Sequence, residues 1–253
     1  MRQRFLRVLI PGLVVAAAVA VLLLQAGASI AQVLLIAGLF NIAVAAYIYS
    51  LVPEFLLRFL DWLLVHSVYR LRITGIENIP EDGPALLVCN HQSLADALVV
   101  SAACRRPIRF LMYYTIFNIP GLNFIFRSMK AIPVAPAKLE PALLEKAYDD
   151  VARALADGQL VCIFPEGQLT RDGKIAEFRS GVSRILERTP VQVIPMALSG
   201  LWQSIFSKNP SRKQFIKLFP KVRLNIGRAL APTDVNLQQL RDIVVRLQRG
   251  QLP

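Results

Sequence analysis

Two side chains that together could act as a base, His91 and Asp96, stand five residues apart, directly after the apolar run Ala85–Cys89. Five helical steps of about 100° put them roughly 140° apart, so they cannot share one face of a helix. They can meet if His91 lies in a loop and Asp96 in the first turn of a helix that Ser93 caps. A carboxylate on one imidazole nitrogen leaves the other nitrogen free as a general base. The alternative is a turn in which both side chains only cap the helix.

A second polar side chain, Glu166, follows another apolar run and stands between Pro165 and Gly167. A glutamate between proline and glycine is a carboxylate held on a tight turn. It could contact a polar ligand or cap a neighbouring element. Active sites in open parallel sheets gather at the carboxyl ends of the strands, and both polar groups follow such runs.

The elements that must position these residues form an alternating pattern from about Leu71 onward. Near-continuous apolar runs between helical patterns are typical of a mostly parallel sheet that helices cover on both faces. We therefore predict an α/β fold with a mostly parallel central sheet flanked by helices. The predicted strands are Ala85–Cys89, Ile108–Met112, Ala131–Val134, Leu160–Phe164, Val191–Ala197 and Val222–Ile226, and the predicted helices are Leu94–Ala103, Glu140–Ala156, Phe178–Glu187 and Leu237–Gln248.

The segment before the sheet has no charged residue between Arg7 and Glu54. It contains two apolar runs, roughly Val8–Leu24 and Val33–Val52, and a helix needs about 20 apolar residues to cross a bilayer. We predict an N-terminal hydrophobic helical hairpin in the membrane, either spanning or re-entrant. Arginines flank both runs and are missing from the connection, which predicts cytoplasmic ends at the inner cell membrane. A cleaved signal peptide is the alternative, but a hairpin accounts for both runs at once.

The segment Pro53–Tyr69 carries Glu54, Arg58 and Asp61 on one helical face, with apolar residues over the rest. Such a helix suits the membrane interface or a place beneath the hairpin. We predict two domains: residues 1–70 form the membrane-associated hairpin plus this amphipathic helix, and residues 71–253 form the catalytic domain.

The composition excludes several classes of protein. The chain has 253 residues, 29 Lys+Arg against 17 Asp+Glu for a net charge of +12, and 55% hydrophobic residues. Such an apolar chain is not disordered, and 3 Cys are too few for a disulfide scaffold. With 2 His and scattered Cys, no metal-ligand cluster is predicted.

A basic stretch without acids runs from Arg188 to Thr233, with aromatic residues among its lysines and arginines. Such a patch can bind nucleic acid. For a chain predicted to sit on a membrane, anionic lipid is favoured over nucleic acid, at about 1 kcal/mol per basic residue near the surface. Part of the stretch could also attract an acidic carrier protein or the phosphates of coenzyme A.

Four sequence blocks, taken together, resemble the glycerophospholipid acyltransferase family, which includes the 1-acyl-sn-glycerol-3-phosphate acyltransferases. The blocks follow in the family's order and cover about Ile73 to Ile226. They are Asn90-His91-x4-Asp96, Gly121-Leu122-Asn123-Phe124-Ile125-Phe126-Arg127, Phe164-Pro165-Glu166-Gly167 and Val193-Ile194-Pro195-Met196.

The resemblance implies transfer of a fatty acyl group from acyl-CoA or acyl-carrier protein to the free hydroxyl of 1-acyl-sn-glycerol-3-phosphate, giving phosphatidic acid. His91 would be the general base and Asp96 would orient it, without a metal or a bound cofactor. Arg127 would bind the acceptor phosphate. The family's blocks imply substrate-binding roles for Asn90, Gly121, Arg127, Glu166, Gly167 and Arg171.

The third block departs from the family, which commonly continues Glu-Gly-Thr-Arg. Here Thr170 and Arg171 arrive two residues late, after Gln168 and Leu169. The head group of the acceptor is therefore open, and the same chemistry on 2-acylglycerophosphoethanolamine or a lyso-ornithine lipid remains an alternative. A catalytically silent lipid-binding module is another alternative. A hydrolase is a third, but it would need an activated nucleophile or a positioned water, for which the sequence has no signature.

Overall fold

The computed structural model of the chain describes residues 18–51, 53–202, 204, 206–209 and 219–251. The chain divides into two compact units, Met1–Pro53 and Glu54–Pro253. The predicted domain boundary after residue 70 stays a prediction. The centre of the predicted basic stretch, residues 210–218, lies outside the described residues.

The first unit contains two helices joined by a short turn. Helix α1 covers residues 18–25, and helix α2 runs over Ile30–Leu51. Ser29 and Gln32 bond reciprocally at the start of α2: Ser29 N donates to Gln32 Oε1 at 2.8 Å and Gln32 N donates to Ser29 Oγ at 3.3 Å. These bonds satisfy N–H groups that the first helical turn leaves open. The predicted run Val8–Leu24 lies outside the described residues up to residue 17.

Helix α2 is long and apolar enough to cross a membrane. Its window Ile30–Tyr47 has no charged residue, and 0% of that window is buried. The core helix of a soluble protein would be mostly buried, whereas this surface is apolar and open. The helix therefore indicates membrane association.

The second unit is built on a seven-stranded sheet in the order β1-β7-β6-β2-β5-β3-β4. Neighbouring strands pair in parallel, except for β6 and β7, which are antiparallel. This sheet confirms the predicted fold class. The strands are β1 (Arg70–Thr74), β2 (Ala85–Cys89), β3 (Ile108–Tyr113), β4 (Ile132–Val134), β5 (Leu160–Ile163), β6 (Val193–Ser199) and β7 (Lys221–Ile226).

Alternate residues of the central strands enter two different hydrophobic clusters. Leu86 and Val88 of β2 pack in one cluster, and Ala85, Leu87 and Cys89 pack in the other. Successive side chains of a strand point to opposite faces, so both faces of the sheet are covered. Besides α3 (Pro53–Val68), the helices described in this unit are α4 (Asp96–Ala103), α5 (Tyr114–Phe117), α6 (Leu122–Ser128), α7 (Pro141–Ala156), α8 (Gly181–Arg188) and α9 (Leu237–Gln248).

Helix α3 (Pro53–Val68) turns its polar stripe toward the protein. Glu54 forms an ion pair with Arg109 of β3 at 2.5 Å, and the Arg58 guanidinium donates to the carbonyls of Cys104 at 3.0 Å and Arg105 at 2.9 Å. Asp61 is buried. The opposite face is apolar and exposed, with Phe55, Phe59, Leu60, Trp62, Leu63 and Leu64. This is the reverse of a soluble amphipathic helix and agrees with a place at a lipid interface.

Candidate functional site

The turn after β2 carries the predicted dyad, and Asn90 fixes that turn to β6. The Asn90 Oδ1 accepts from the N–H of Leu198 at 2.7 Å, and its Nδ2 donates to the Leu198 carbonyl at 3.1 Å. Asn90 is 1% exposed. Its side chain therefore joins two strands at their ends and positions His91; the substrate-binding role implied for it stays a prediction.

His91 and Asp96 meet as the spacing predicts. The Nδ1 of His91 lies 2.8 Å from the Oδ2 of Asp96, with His91 in the loop and Asp96 as the first residue of α4. An ionised carboxylate only accepts, so Nδ1 must carry a hydrogen, and in the neutral imidazole Nε2 then keeps a free lone pair. Within the described residues, Nε2 has no hydrogen-bond partner, and the His91 side chain keeps 19% of its surface exposed.

Asp96 is held by the turn that it follows. Its Oδ2 also accepts from the N–H groups of Gln92 at 2.5 Å and Ser93 at 2.8 Å, and the side chain is 0% exposed. These two donors stabilise negative charge on the oxygen that faces the imidazole. The prediction that Ser93 caps α4 is wrong. The capping position is Ala95, and the Ser93 hydroxyl instead accepts from Ala95 N at 3.2 Å and contacts Ser204 Oγ at 3.0 Å.

The turn after β5 packs directly on the dyad. The ring of Phe164 stacks on His91, with centroids 4.2 Å apart and planes at 16°. Both oxygens of Glu166 accept backbone hydrogen bonds of 2.8 Å, one from His91 N and one from Ala176 N. Thr170 N donates to the His91 carbonyl at 3.0 Å. The backbone of His91 is therefore fixed from both sides.

Glu166 is buried, and this burial raises the pKa of its carboxyl group, although the two N–H donors oppose the rise. Both of its oxygens point to backbone N–H groups. Within the described residues, the carboxylate therefore works as a positioning group for His91. The acceptor contact that the family resemblance implies for Glu166 remains a prediction.

The tight turn at Gly167 is closed by a hydrogen bond from Gly167 N to the Phe164 carbonyl at 3.0 Å. Gly167 has a φ of +66°, which favours glycine. A Cβ atom there would lie 2.9 Å from Arg179 Nε and 3.0 Å from its Cδ and Cζ. The side chain of Arg179 therefore lies directly against this glycine.

The second predicted block lies on a separate helix. Gly121 has a φ of +83° and precedes α6, where a Cβ atom would meet nothing within 4 Å. Arg127 is exposed near the end of α6, and no ion pair or hydrogen bond joins its side chain to the dyad in the part of the chain that is described. The substrate-binding roles of Gly121 and Arg127 stay predictions.

Thr170 and Arg171, which stand two residues later than the family's Thr-Arg pair, have different surroundings. Thr170 is buried, and its hydroxyl bonds to Asp172 Oδ1 at 3.1 Å and to the Lys174 carbonyl at 2.7 Å. It therefore shapes the loop. Arg171 is exposed beside it.

Sequence reasoning missed two features of this site. One is Arg179, for which Phe178-Arg179-Ser180-Gly181 shortly after the Glu166 turn was the only available signal. The other is the segment after β6: Leu94 N donates to the Phe206 carbonyl at 3.2 Å, and Ser93 pairs with Ser207 in an isolated bridge. That segment therefore also contacts the dyad turn.

Other chemistry has less support in the described residues. The three cysteines are free and buried, and burial raises the pKa of the Cys89 thiol well above its ordinary value. A buried thiol with a raised pKa is a poor nucleophile at neutral pH. No group of three or more His, Cys, Asp or Glu that could hold a metal ion is found among the described residues.

The chain is similar to several known proteins in sequence and in fold. A family model described as Acyltransferase matches residues 70–199, just over half of the chain. The chain is 29% identical over 137 residues to a chloroplastic 1-acyl-sn-glycerol-3-phosphate acyltransferase of Arabidopsis thaliana, which covers 54% of this chain and 38% of the relative. It is 30% identical over 188 residues to one of Chlamydomonas reinhardtii, covering 73% of this chain and 54% of the relative.

A solved structure gives the same result. The crystal structure of the 1-acyl-sn-glycerophosphate acyltransferase of Thermotoga maritima superposes with a TM-score of 0.57 at 26% identity, covering 75% of this chain and 73% of that one. The chain spans only 38% and 54% of the length of the two curated relatives described above.

Proposed function

The chain belongs to the acyltransferase family, and from that premise we propose that it transfers a fatty acyl group from a thioester to the free hydroxyl of 1-acyl-sn-glycerol-3-phosphate. The observation that carries the proposal is the bond of 2.8 Å between His91 Nδ1 and Asp96 Oδ2 at the carboxyl end of β2. It leaves the Nε2 atom of His91 with a lone pair, as a general base requires.

In the proposed reaction, His91 Nε2 takes the proton of the acceptor hydroxyl while that oxygen attacks the thioester carbonyl carbon. A C–O bond forms, and the carbonyl oxygen becomes an oxyanion. The developing imidazolium is stabilised by Asp96, which accepts the Nδ1 hydrogen throughout. The tetrahedral intermediate then collapses: the C–S bond breaks, and the leaving thiolate takes the proton from His91. The products are an ester and a free thiol.

The oxyanion needs hydrogen-bond donors near the attacked carbon. The N–H groups of His91, Gln92, Ser93 and Gly167 are already bonded within the protein. The oxyanion donors must therefore be groups other than the N–H groups of His91, Gln92, Ser93 and Gly167.

The acceptor is proposed from the names of the relatives, which are 1-acyl-sn-glycerol-3-phosphate acyltransferases. Arg127 is proposed to bind the acceptor phosphate, since a guanidinium can pair with two phosphate oxygens at once. The donor is proposed to be acyl-CoA or acyl-carrier protein, and the net charge of +12 suits either polyanionic carrier.

A related acceptor is a second candidate because of the loop after Glu166. The family's Thr-Arg pair stands two residues further along this chain, and the Thr170 hydroxyl donates to the Lys174 carbonyl within the same loop. An altered head-group site could favour 2-acylglycerophosphoethanolamine or a lyso-ornithine lipid. The intact dyad argues against a catalytically silent lipid-binding module.

The proposed location is the inner cell membrane, with the second unit on the cytoplasmic face. The exposed apolar helix α2 and the arginines on both sides of the N-terminal segment support it. A cysteine at Ser29 should be extracytoplasmic or buried in lipid, and one at Asp82 cytoplasmic. Labelling of position 82 from outside intact cells would contradict this orientation.

The decisive test is the variant His91→Ala in an assay with purified protein, both donors and several lysolipid acceptors. The loss of a general base should lower kcat roughly 10²- to 10⁴-fold with every acceptor. Circular dichroism and membrane association should not change, because His91 lies in a loop and is partly exposed. Near-normal turnover by this variant would overturn the mechanism.

A further inference from the structure

We propose that four cations on strands β1 and β7 form a docking surface for an acidic carrier protein that bears the acyl group as a thioester. The inference rests on the proposed acyl transfer and names the partner that supplies the donor. The four residues, which we call the edge cation array, are Arg70, Arg72, Lys221 and Arg223.

The register of the two strands brings the four side chains together. Arg70 pairs with Lys221, and Arg72 pairs with Arg223, in the parallel ladder of β1 and β7. All four residues are exposed. Neighbouring strands lie about 4.8 Å apart, and alternate residues of one strand lie about 7 Å apart. The edge cation array is therefore a rectangle of positive side chains that measures about 5 by 7 Å at the backbone.

The edge cation array and helix α3 lie on opposite faces of the sheet. Val222 of β7 packs in the hydrophobic cluster that contains Val65 of α3. Arg223 points to the other face, as does Asn225, whose Nδ2 donates to the Leu247 carbonyl of α9 at 2.7 Å. A membrane that contacts the exposed apolar face of α3 therefore lies on the far side of the sheet from the array. The array is left for a partner that arrives from the aqueous phase.

The positive charges of the edge cation array are not neutralised within the chain. All 17 acidic residues belong to the part of the chain that the structure describes, and none of them forms an ion pair with the array. Arg223 Nε donates only to a hydroxyl, Ser199 Oγ, at 3.4 Å. No acid occurs between Glu187 and Asp234. Like charges on paired strands repel, so an anionic partner stabilises this arrangement.

The edge cation array stands at the end of the sheet that carries the dyad. Asn90 bonds to both backbone groups of Leu198 on β6, and the next residue of β6, Ser199, pairs with Arg223. Strand β6 alone separates β7 from β2, so these two strands lie about 10 Å apart. A carrier protein docked on the array can therefore deliver a thioester on a flexible arm to the end of the sheet where His91 lies.

The shape and spacing of the edge cation array favour a protein over coenzyme A. Binding sites for small molecules are concave and bury most of the ligand, whereas these side chains stand on an open strand surface. Acidic side chains on successive turns of a helix lie about 5–6 Å apart, which is close to the spacing of the array. An acidic helix of a carrier protein therefore matches the array in charge and in spacing.

The kinetic test compares two pairs of charge reversals. One variant carries Arg72→Glu and Arg223→Glu in the array, and the control carries Arg105→Glu and Arg184→Glu, two exposed arginines outside it. In the array variant the KM of acyl-carrier protein should rise roughly 10- to 50-fold with little change in kcat, because attraction becomes repulsion. The KM of acyl-CoA should stay within about twofold, and the control should change neither value by more than about twofold.

A neutral variant keeps the test valid if charge reversal disturbs the sheet edge. Replacing Arg72 and Arg223 by glutamine should raise the KM of acyl-carrier protein by a smaller factor, about 3- to 10-fold. Circular dichroism of both array variants should match that of the unmodified protein, because the two side chains are exposed.

A binding experiment separates this inference from the proposed function. In a His91→Ala background, fluorescence anisotropy with the labelled acyl-carrier protein of the source organism should show a Kd at least about 10-fold higher for the array variant and not for the control. The affinity of the unmodified array should fall between about 50 and 300 mM salt, because salt screens exposed charges. Inactivity of the unmodified protein with every donor would refute the proposed function and leave this binding difference measurable.

Four outcomes would overturn the inference. One is unchanged binding of acyl-carrier protein in the array variant. The second is an equal loss in the control, which would reduce the effect to overall charge. The third is an equal rise in the KM of acyl-CoA, which would assign the array to the phosphates of that donor. The fourth is loss of binding to phosphatidylglycerol vesicles with carrier binding retained, which would make the array a membrane contact.

Discussion

Two aspartates are buried beside helix α4, and their surroundings differ. Asp96 begins the helix, is 0% exposed and accepts three hydrogen bonds on one oxygen, from the imidazole and two backbone N–H groups. Asp61 of α3 is 8% exposed, and among the described residues neither of its oxygens has a hydrogen-bond partner within 3.5 Å. Burial raises the pKa of Asp61 from 3.8 to about 6, and the neighbouring Ser101 and Arg58 oppose only part of that rise.

The comparison separates burial from function. Burial alone makes a carboxylate costly, because the charged form loses its hydration. Backbone donors offset that cost at Asp96 and leave an oriented negative charge beside His91. In the part of the chain that the structure describes, Asp61 has no such backbone donors, so its charge lowers stability at neutral pH. Hydrogen-bond partners, and not the depth of burial, therefore distinguish the carboxylate that is proposed to act with His91.

The largest effect should come from removing the charge of Asp96. Asp96→Asn keeps the shape but removes the carboxylate that holds the imidazole tautomer, so kcat should fall roughly 10²- to 10⁴-fold with every acceptor. The KM values should change little. Steady-state kinetics with purified protein measure both. If the variant kept kcat but bound the acceptor poorly, Asp96 would belong to the binding site.

A smaller effect is expected for Asp61→Asn. This substitution should raise the stability of the protein, whereas Asp96→Asn should lower its activity. The native carboxyl keeps its proton up to about pH 6, whereas the unfolded chain loses it near 3.8. Between these values the native state binds more protons, so the free energy of unfolding falls as the pH rises. Above pH 6 the penalty reaches about 3 kcal/mol.

Asp61→Asn should therefore raise the melting temperature at pH 7.5 and change it much less at pH 4. Thermal unfolding of the detergent-solubilised protein at both pH values measures the difference, and acyl transfer should be retained. An equal shift at the two pH values would mean that ionisation of Asp61 is not the cause.

The smallest effect is expected at Arg127, which contacts neither aspartate. Arg127→Lys keeps the charge but loses the planar fork, so kcat/KM for the acceptor should fall roughly 10- to 100-fold. The donor KM should change much less. A loss of kcat with unchanged acceptor KM would place Arg127 with the dyad instead, and would weaken the separation between catalysis and binding.

The sequence predicts those strands and helices whose burial produces a regular pattern of apolar residues. The predicted bounds of β2 (Ala85–Cys89) and α9 (Leu237–Gln248) agree with the structure, since one is buried on both faces and the other on one stripe. Strand β1 has mostly exposed residues, including Arg70 and Arg72, and its edge position leaves no apolar run to detect. The short helices α5 and α6 were missed for a similar reason, because they bury few side chains.

At the candidate functional site, contacts between residues close in sequence could also be predicted, whereas contacts between distant residues could not. The spacing of His91 and Asp96 was sufficient to predict their pairing, because one loop and one helical turn determine it. The contact between Glu166 and His91 joins residues 75 positions apart, and the contact of Arg179 with Gly167 depends on how a whole loop folds back. Ser93 was predicted as a cap because its residue type favours that position, but the Asp96 carboxylate already takes the N–H groups that begin the turn.

The ion pair of Glu54 and Arg109 determines where a soluble fragment for crystallisation should start. Arg109 is 5% exposed, and its guanidinium also bonds to Gln159 Oε1 at 2.6 Å and the Met129 carbonyl at 3.1 Å. A fragment cut after residue 70 would leave this buried cation without its carboxylate, which is strongly destabilising. A fragment that begins at Pro53 keeps the pair. Polar substitutions of the exposed Phe55 and Phe59 would then make the outer face of α3 less apolar, so that the fragment needs less detergent.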